Sequence, residues 1–330
     1  STLMRSSAAS DVYKRQESMR GCPFSCSYCL SSIDKRVRLR SMELVEKELQ
    51  FFLDHKVPQV KFVDRTFNCN HRHSMAIWRY IKEHDNGITN FHFEIAADIL
   101  NEEEMDLLAT FRPGLAQLEI GVQSTNIQTI HEIDRVMDFD MVTQKVQRVA
   151  SAENIHQHLD LIAGLPYENL ESFKKSFNDV YRLRPQQFQL GFLKVLKGSK
   201  MHEKAGEYGI VYHTRPMYEV LSTNWLTYDE VIYLKGIEEM VEVYYNSCQF
   251  RCTMRALEAE FNTPFAMYEA LAEYYEENAL NGLKHSRMGR FDILHDFILS
   301  YVKKEHAPKY EDDLLMDLYL REKSLSLIHI

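Results

Sequence analysis

The sequence predicts an α/β protein, with a partial, open (βα)6 barrel over residues 17–200 and a mostly α-helical domain over 201–323. Three observations predict it. Between Val57 and Val195 short apolar runs alternate with segments of helical period, the pattern of repeated βα units and a parallel sheet. Six such units are legible, too few for a closed eight-stranded barrel. After Gly198 the chain turns Tyr-rich and keeps a helical period to about Lys323.

In chain order, a first strand is expected just before Cys22. Ser41 is placed to cap a helix with Met42, Val45, Leu49, Phe52 and Leu53 on one face. Strands follow at 59–64 and 90–96. Asn101 and Glu104 form a capping-box pattern before Met105 and Leu108, and Pro113-Gly114 ends that helix. Beyond the strands at 115–122 and 156–163, Phe173, Phe177, Val180 and Tyr181 make a helical stripe that stops before Pro185, and a last strand is expected at 187–194. In the C-terminal region Phe261, Phe265, Tyr268, Leu271 and Ala272 keep helical spacing, as do Ile293, Phe297 and Tyr301. Residues 1–16 and 324–330 have no apolar period joining them to their neighbours. Their DVYKRQ and LSLIHI stretches resemble translated sequencing-adapter read-through, so both ends are read as non-native tails and the chain as a fragment cut at both sides.

Three strands alternate where a doubly covered parallel sheet normally reads as a continuous apolar run. Phe91, Phe93 and Ile95 interleave with His92, Glu94 and Ala96. Leu118, Ile120 and Val122 interleave with Glu119, Gly121 and Gln123, and Leu159 and Leu161 flank His158 and Asp160. Barrel strands send alternate side chains inward and outward, so the apolar set is assigned to the helices and the polar set to a ligand-holding lumen.

The formal charge of −9 argues against a nucleic-acid or anionic-membrane surface, which needs a basic excess. No apolar run is long enough to span a membrane and no secretory leader is legible, so a cytoplasmic protein is expected. Of six cysteines, three crowd at Cys22, Cys26 and Cys29, a C-x3-C-x2-C spacing that in a reducing compartment suggests metal ligands rather than disulfides. A zinc site would want a fourth ligand, usually from a second pair, and no matching pair lies at a plausible distance. Three ligands suit a cubane cluster with one iron left open.

The segment Gly21-Cys22-Pro23-Phe24-Ser25-Cys26-Ser27-Tyr28-Cys29 resembles the signature of radical S-adenosylmethionine enzymes, and the partial barrel matches that superfamily's fold. The resemblance implies a 4Fe-4S cluster on Cys22, Cys26 and Cys29, Tyr28 beside it, and reductive cleavage of S-adenosylmethionine to a 5′-deoxyadenosyl radical. It further implies cofactor contacts from Asp64 in FVDRTF, Glu94 in FEIAAD, Gln123 and Ser124 in LEIGVQS, Arg135 toward the methionine carboxylate, and Ile162 in DLIAGLP beside adenine. The phrases CPFSCSYCLSS, FVDRTFN and LKVLKGSKM with the Tyr-rich helical domain are similar to a subgroup that carries a cobalamin-binding domain before the barrel. The intact parent is thus expected to bind cobalamin, while this fragment, which lacks a D-x-H-x-x-G stretch, is expected not to. A small-molecule substrate and a reducing donor of the flavodoxin or ferredoxin type are the implied partners. The rivals are a tRNA-modifying methylthiotransferase-like radical enzyme, which the charge disfavours, and a non-catalytic iron–sulfur electron carrier, which would not need the cofactor-binding strand ends.

Four other features are weighed against a structural reading. Cys248 and Cys252 are taken as free thiols, Cys69, His71 and His73 as an incomplete metal clip with surface histidines, and Arg36, Arg38 and Arg40 as either a solvated charged stretch or a guide for an anionic substrate. His92, His158 and Glu119, lumen-facing by parity, are candidates for proton handling or for structural hydrogen bonds.

Overall fold

The structure is a computed structural model that describes residues 14–321, in two compact units, one through Tyr228 and one from Asp229. The first unit is built on six parallel strands that lie side by side in chain order: β1 (Lys14–Gln16), β2 (Gln59–Phe62), β3 (Asn90–Ile95), β4 (Ala116–Gln123), β5 (His156–Ala163) and β6 (Gln187–Phe192). Helices cross between them: α1 (Met42–Asp54), α2 (His71–Glu83), α3 (Glu102–Ala109), α4 (Ile127–Glu132), α5 (Phe139–Ala150) and α6 (Leu170–Tyr181). This is the expected α/β order of a partial barrel. The outward set Phe91, Phe93, Leu118, Val122, Leu159 and Leu161 is fully buried, and the Asn101–Glu104 capping box forms, with Glu104 N donating to Asn101 Oδ1 at 2.9 Å. Ser41 stands at the α1 N-cap but its hydroxyl makes no capping bond.

One expectation is corrected. The first strand is not adjacent to Cys22. It is Lys14–Gln16, within the stretch read as a foreign tail, and it pairs Lys14 with Val60 and Gln16 with Phe62. The stretch next to the cysteines is otherwise engaged: Met19–Arg20 pairs antiparallel with Arg38–Leu39, and the Ser18 and Met19 N–H groups donate to Asp64. The rest of both tails lies outside the described residues.

Beyond residue 200 the chain first stays with the strands. Residues 201–228 belong with the barrel unit. Met201 N donates to Ser27 O at 2.8 Å, and a ribbon of Val211–Tyr212 with Val220–Ser222 returns so that Val220 N reaches Leu193 O at 2.9 Å.

The second unit is helical, as expected: α7 (Tyr228–Val241), α8 (Arg251–Leu257), α9 (Pro264–Glu277), α10 (Arg287–Tyr301) and α11 (Ala307–Arg321). Its core holds Ile237, Phe250, Tyr268, Leu271, Leu294 and Phe297, and the Tyr244 and Tyr275 hydroxyls meet at 2.8 Å inside it. Buried Asp317 of α11 caps α8, accepting from Thr253 N at 2.9 Å and Thr253 Oγ1 at 2.8 Å. Among the described residues no helix is long and apolar enough to cross a membrane.

Candidate active site

The loop between β1 and α1 carries the three clustered cysteines, and all three line one cavity together with residues from the C-terminal ends of β2 to β5. In open α/β folds that end of the strands is where ligands are held. The loop is pinned by its own backbone. Cys22 N donates to Asp34 O, Ser27 N to Ile133 O and Cys29 N to Cys26 O, at 3.2, 2.8 and 3.1 Å. Gly21 turns at φ +90°, and a Cβ there would stand 2.3 Å from Arg36 O, so only glycine lets the loop close against residues 34–36. The thiols take weak polar partners: Thr66 Oγ1 lies 3.5 Å from Cys22 Sγ, Arg135 Nη1 3.7 Å from Cys26 Sγ and Ser31 N 3.4 Å from Cys29 Sγ.

Beside the thiols stand Tyr28, Gln123 and Arg135. Arg135 Nη1 donates to the Tyr28 hydroxyl at 3.4 Å and Nη2 to Gly121 O, while burial pushes the Tyr28 phenol pKa well up and keeps it protonated. The β4–β5 register shifts between Gly121 and Gln123, and Gln123 has φ 73°. A Cβ on Gly121 would fall 2.1 Å from Gln123 Nε2, so the glycine makes room for the amide. Gln123 Oε1 is buried without a hydrogen-bond partner, an acceptor on the cavity wall awaiting a donor.

Deeper in the lumen the polar set interlocks. Glu119 accepts from His92 Nε2 at 2.8 Å and Lys61 Nζ at 3.1 Å. Lys61 Nζ lies 3.8 Å from Glu94, and His158 Nε2 lies 2.9 Å from Asp160 Oδ1. Burial pushes the Glu119 carboxyl up, but the His92 and Lys61 hydrogen bonds outweigh it and bring it down to about 2. Burial raises Glu94, reinforced by the Glu119 charge, and burial raises Asp160. His158 is depressed by burial and raised more by Asp160, so its net direction is upward. Glu119, His158 and Asp160 are close enough to share a cation, but the Lys61 ammonium already supplies positive charge to Glu119. His92, His158 and Glu119 are thus lumen-facing, as parity predicts.

Glu94, Gln123, Arg135, Tyr28 and the three cysteines converge on the cavity; Asp64, Ser124 and Ile162 do not line it. Asp64 is buried and accepts from Ser18 N, Ser18 Oγ and Met19 N, holding the approach to the cysteine loop rather than facing a ligand. Burial, opposed by those donors, leaves its carboxyl raised to about 6. Ile162 is half-buried on β5, paired in register with Gly191. Ser124 points to the other side of β4, donating to buried Glu168 Oε1 at 2.6 Å, which also accepts from Ser176 Oγ at 2.9 Å.

Burial pushes the Glu168 carboxyl up to about 7 against those hydroxyl donors. A folded-state value above the unfolded one means the native state holds an extra proton, so this contribution to stability is full below about pH 4.5 and lost as pH rises through about 7. Denaturant unfolding at pH 5 and pH 8 should show Glu168→Gln losing on the order of 3 kcal/mol less than the parent over that interval. Identical pH dependence in the two proteins would remove Glu168 as its source.

The features read as structural also resolve. His71 Nδ1 meets Glu104 Oε2 at 2.9 Å, and His73 is buried rather than on the surface because α2 turns it under the loop. Arg38 pairs with Asp34 at 2.6 Å and Arg40 with Glu48 at 2.6 Å, while Cys69, Cys248 and Cys252, like the three clustered cysteines, form no disulfide. Asp160 lines the cavity as its inward parity predicts, and Lys61, Thr66, Arg65 and Phe24 belong to the site or its support without having been assigned a role from the sequence. Lys61 was findable, since it shares the inward parity of β2 with Gln59 while Val60 and Phe62 are buried.

Three thiols on one wall, the unpartnered Gln123 oxygen and the Gly121 cradle fit a three-cysteine cluster with a polar nucleoside ligand beside it. Comparison with known proteins agrees. The profile described as "Radical SAM superfamily" matches residues 17–180, and one described as "Protein of unknown function (DUF4080)" matches residues 206–329. The chain is 24% identical over 313 residues to 2-(S-pantetheinyl)-carbapenam-3-carboxylate methyltransferase of Streptantibioticus cattleyicolor, a match covering 87% of this chain and 46% of that protein. It is 26% identical over 317 residues to cobalamin-dependent radical SAM methyltransferase TokK of Streptomyces tokunonensis, with the same coverage of 87% and 46%. The chain therefore spans about half the length of these curated relatives. Among solved structures, the methyltransferase TsrM from Kitasatospora setae with cobalamin and a [4Fe-4S] cluster shares the fold at TM-score 0.53 and 17% identity, covering 65% of this chain and 44% of that one. The cobalamin-dependent radical enzyme OxsB does so at TM-score 0.52 and 13% identity, covering 93% and 54%. With its six-stranded parallel sheet, its cysteine loop at the carboxyl ends of the strands and the matching domain profile, the chain belongs to the radical S-adenosylmethionine superfamily.

Proposed function

We propose that this chain binds a 4Fe-4S cluster through Cys22, Cys26 and Cys29 and S-adenosylmethionine in the adjoining cavity, and that the whole protein uses them in a cobalamin-dependent methyl transfer to a small molecule. The observation that carries the reading is the convergence of three thiols, an unpartnered amide oxygen and ion-backed carboxylates on one polar cavity. When bound and reduced by a flavodoxin- or ferredoxin-type donor, the cluster supplies the single electron that breaks a sulfonium bond. The chain's own residues bind and orient. Gln123 Oε1 offers an acceptor to a nucleoside hydroxyl, Glu94 offers a second, and Arg135 brings a cation to the cysteine end of the cavity, where a carboxylate would be held. The methyl-transfer step is supported by the names of the two curated relatives.

The test is anaerobic reconstitution followed by reduction in the presence of S-adenosylmethionine, with 5′-deoxyadenosine as the product read. Gln123→Ala and Glu94→Ala should each weaken cofactor binding by about tenfold to a hundredfold, roughly 1–3 kcal/mol for a hydrogen bond lost in a partly desolvated site, with iron content unchanged. Unchanged affinity in both variants would mean that the cavity holds a different ligand.

A further inference from the structure

The carboxylates that face the cavity are not left to themselves. Glu119 is served by His92 and Lys61, Asp160 by His158, and Glu94 by Lys61 at 3.8 Å and Arg65 at 4.0 Å. Glu94, Glu119 and Asp160 line the cavity, whereas Lys61, His92 and His158 do not and reach it only through those carboxylates. Glu94 is the most exposed to failure of this arrangement. Its second partner, Arg65, has a side chain 58% exposed and is screened by water, while Glu119 and Asp160 add like charge from β4 and β5. Glu119 keeps His92 if Lys61 is removed, but Glu94 keeps only the solvent-exposed Arg65 at 4.0 Å.

We propose that Lys61 is a positioning residue for the ligand of this cavity: its ammonium bridges Glu119 and Glu94 and keeps Glu94 a carboxylate, able to accept hydrogen bonds from a polyhydroxylated ligand with both oxygens. Within the cofactor reading above, on which this rests, the ligand part concerned is the ribose diol of S-adenosylmethionine. A protonated Glu94 would present a donor where the ligand also presents donors, so binding falls with the fraction protonated. Removing Lys61 leaves burial and the Glu119 and Asp160 charges unopposed except by Arg65, and the Glu94 carboxyl then rises further. The resulting loss is largest at low pH and disappears once pH exceeds the raised value.

The experiment is equilibrium dialysis of S-adenosylmethionine against the reconstituted, unreduced protein from about pH 6 to about pH 8.5, read as the ratio of variant to parent affinity so that titration of the ligand cancels. Lys61→Met should bind about tenfold more weakly at the acid end and approach the parent at the alkaline end, one pK unit corresponding to tenfold. Lys61→Arg should follow the parent throughout. A loss of equal size at every pH would show that Lys61 only fills space, and no loss at any pH would show that Glu94 does not depend on it; either overturns the assignment. A parent protein that holds its cluster but binds no S-adenosylmethionine at any pH would instead overturn the cofactor reading, and this inference with it.

Discussion

Replacing Cys26 by alanine should abolish cluster assembly: about four irons per chain are expected in the reconstituted parent and close to none in the variant. The same result is expected for Cys22→Ala and Cys29→Ala, because a site with three protein ligands has none to spare. The geometry makes the assignment selective. These three thiols line one cavity, while Cys69 does not line it and packs against Met19 with its sulfur 3.7 Å from the thioether. Cys248 and Cys252 lie in the other compact unit. Substituting both by alanine should leave the iron content at the parent level. A Cys26→Ala protein that keeps its cluster would sink the ligand assignment, and iron lost from the Cys248/Cys252 double variant would sink its selectivity.

Where the strands are long and alternate, side-chain direction was legible from the sequence. On β3, β4 and β5 the inward positions are His92, Glu94, Glu119, Gly121, His158 and Asp160, and these build the lumen and its ion pairs. Ser124 stands just past the end of β4, after the left-handed turn at Gln123. Its hydroxyl meets Glu168 behind the sheet.

Parity fails where a strand ends. β2 stops at Phe62, so the inward or outward sense of Asp64 is set by the loop, and the loop turns it toward Ser18 and Met19. The first strand was illegible for a different reason: Lys-Arg-Gln has neither apolar alternation nor β-branched residues, and its pairing with β2 is a tertiary effect.

Asp64→Ala should be the most destabilising single change outside the core, by about 3–5 kcal/mol, and should cost the protein its cluster although Asp64 is not a ligand. The carboxylate is 1% exposed and accepts from Ser18 N at 3.0 Å and Ser18 Oγ at 3.0 Å as well as from Met19 N; Ser18 and Met19 are themselves buried. Truncation leaves those donors without water or acceptor, and each orphaned buried group costs roughly 1–3 kcal/mol. Because Ser18 and Met19 stand between β1 and the Gly21 turn, releasing them frees the start of the cysteine loop, which has to hold three thiols in fixed relation. Asp64→Asn keeps one acceptor oxygen and should fall between the two. Denaturant unfolding and iron content measured on the same samples separate the effects: a variant less stable by this margin that still assembles a full cluster would show that the loop is positioned by the Asp34, Ile133 and Met201 backbone contacts alone.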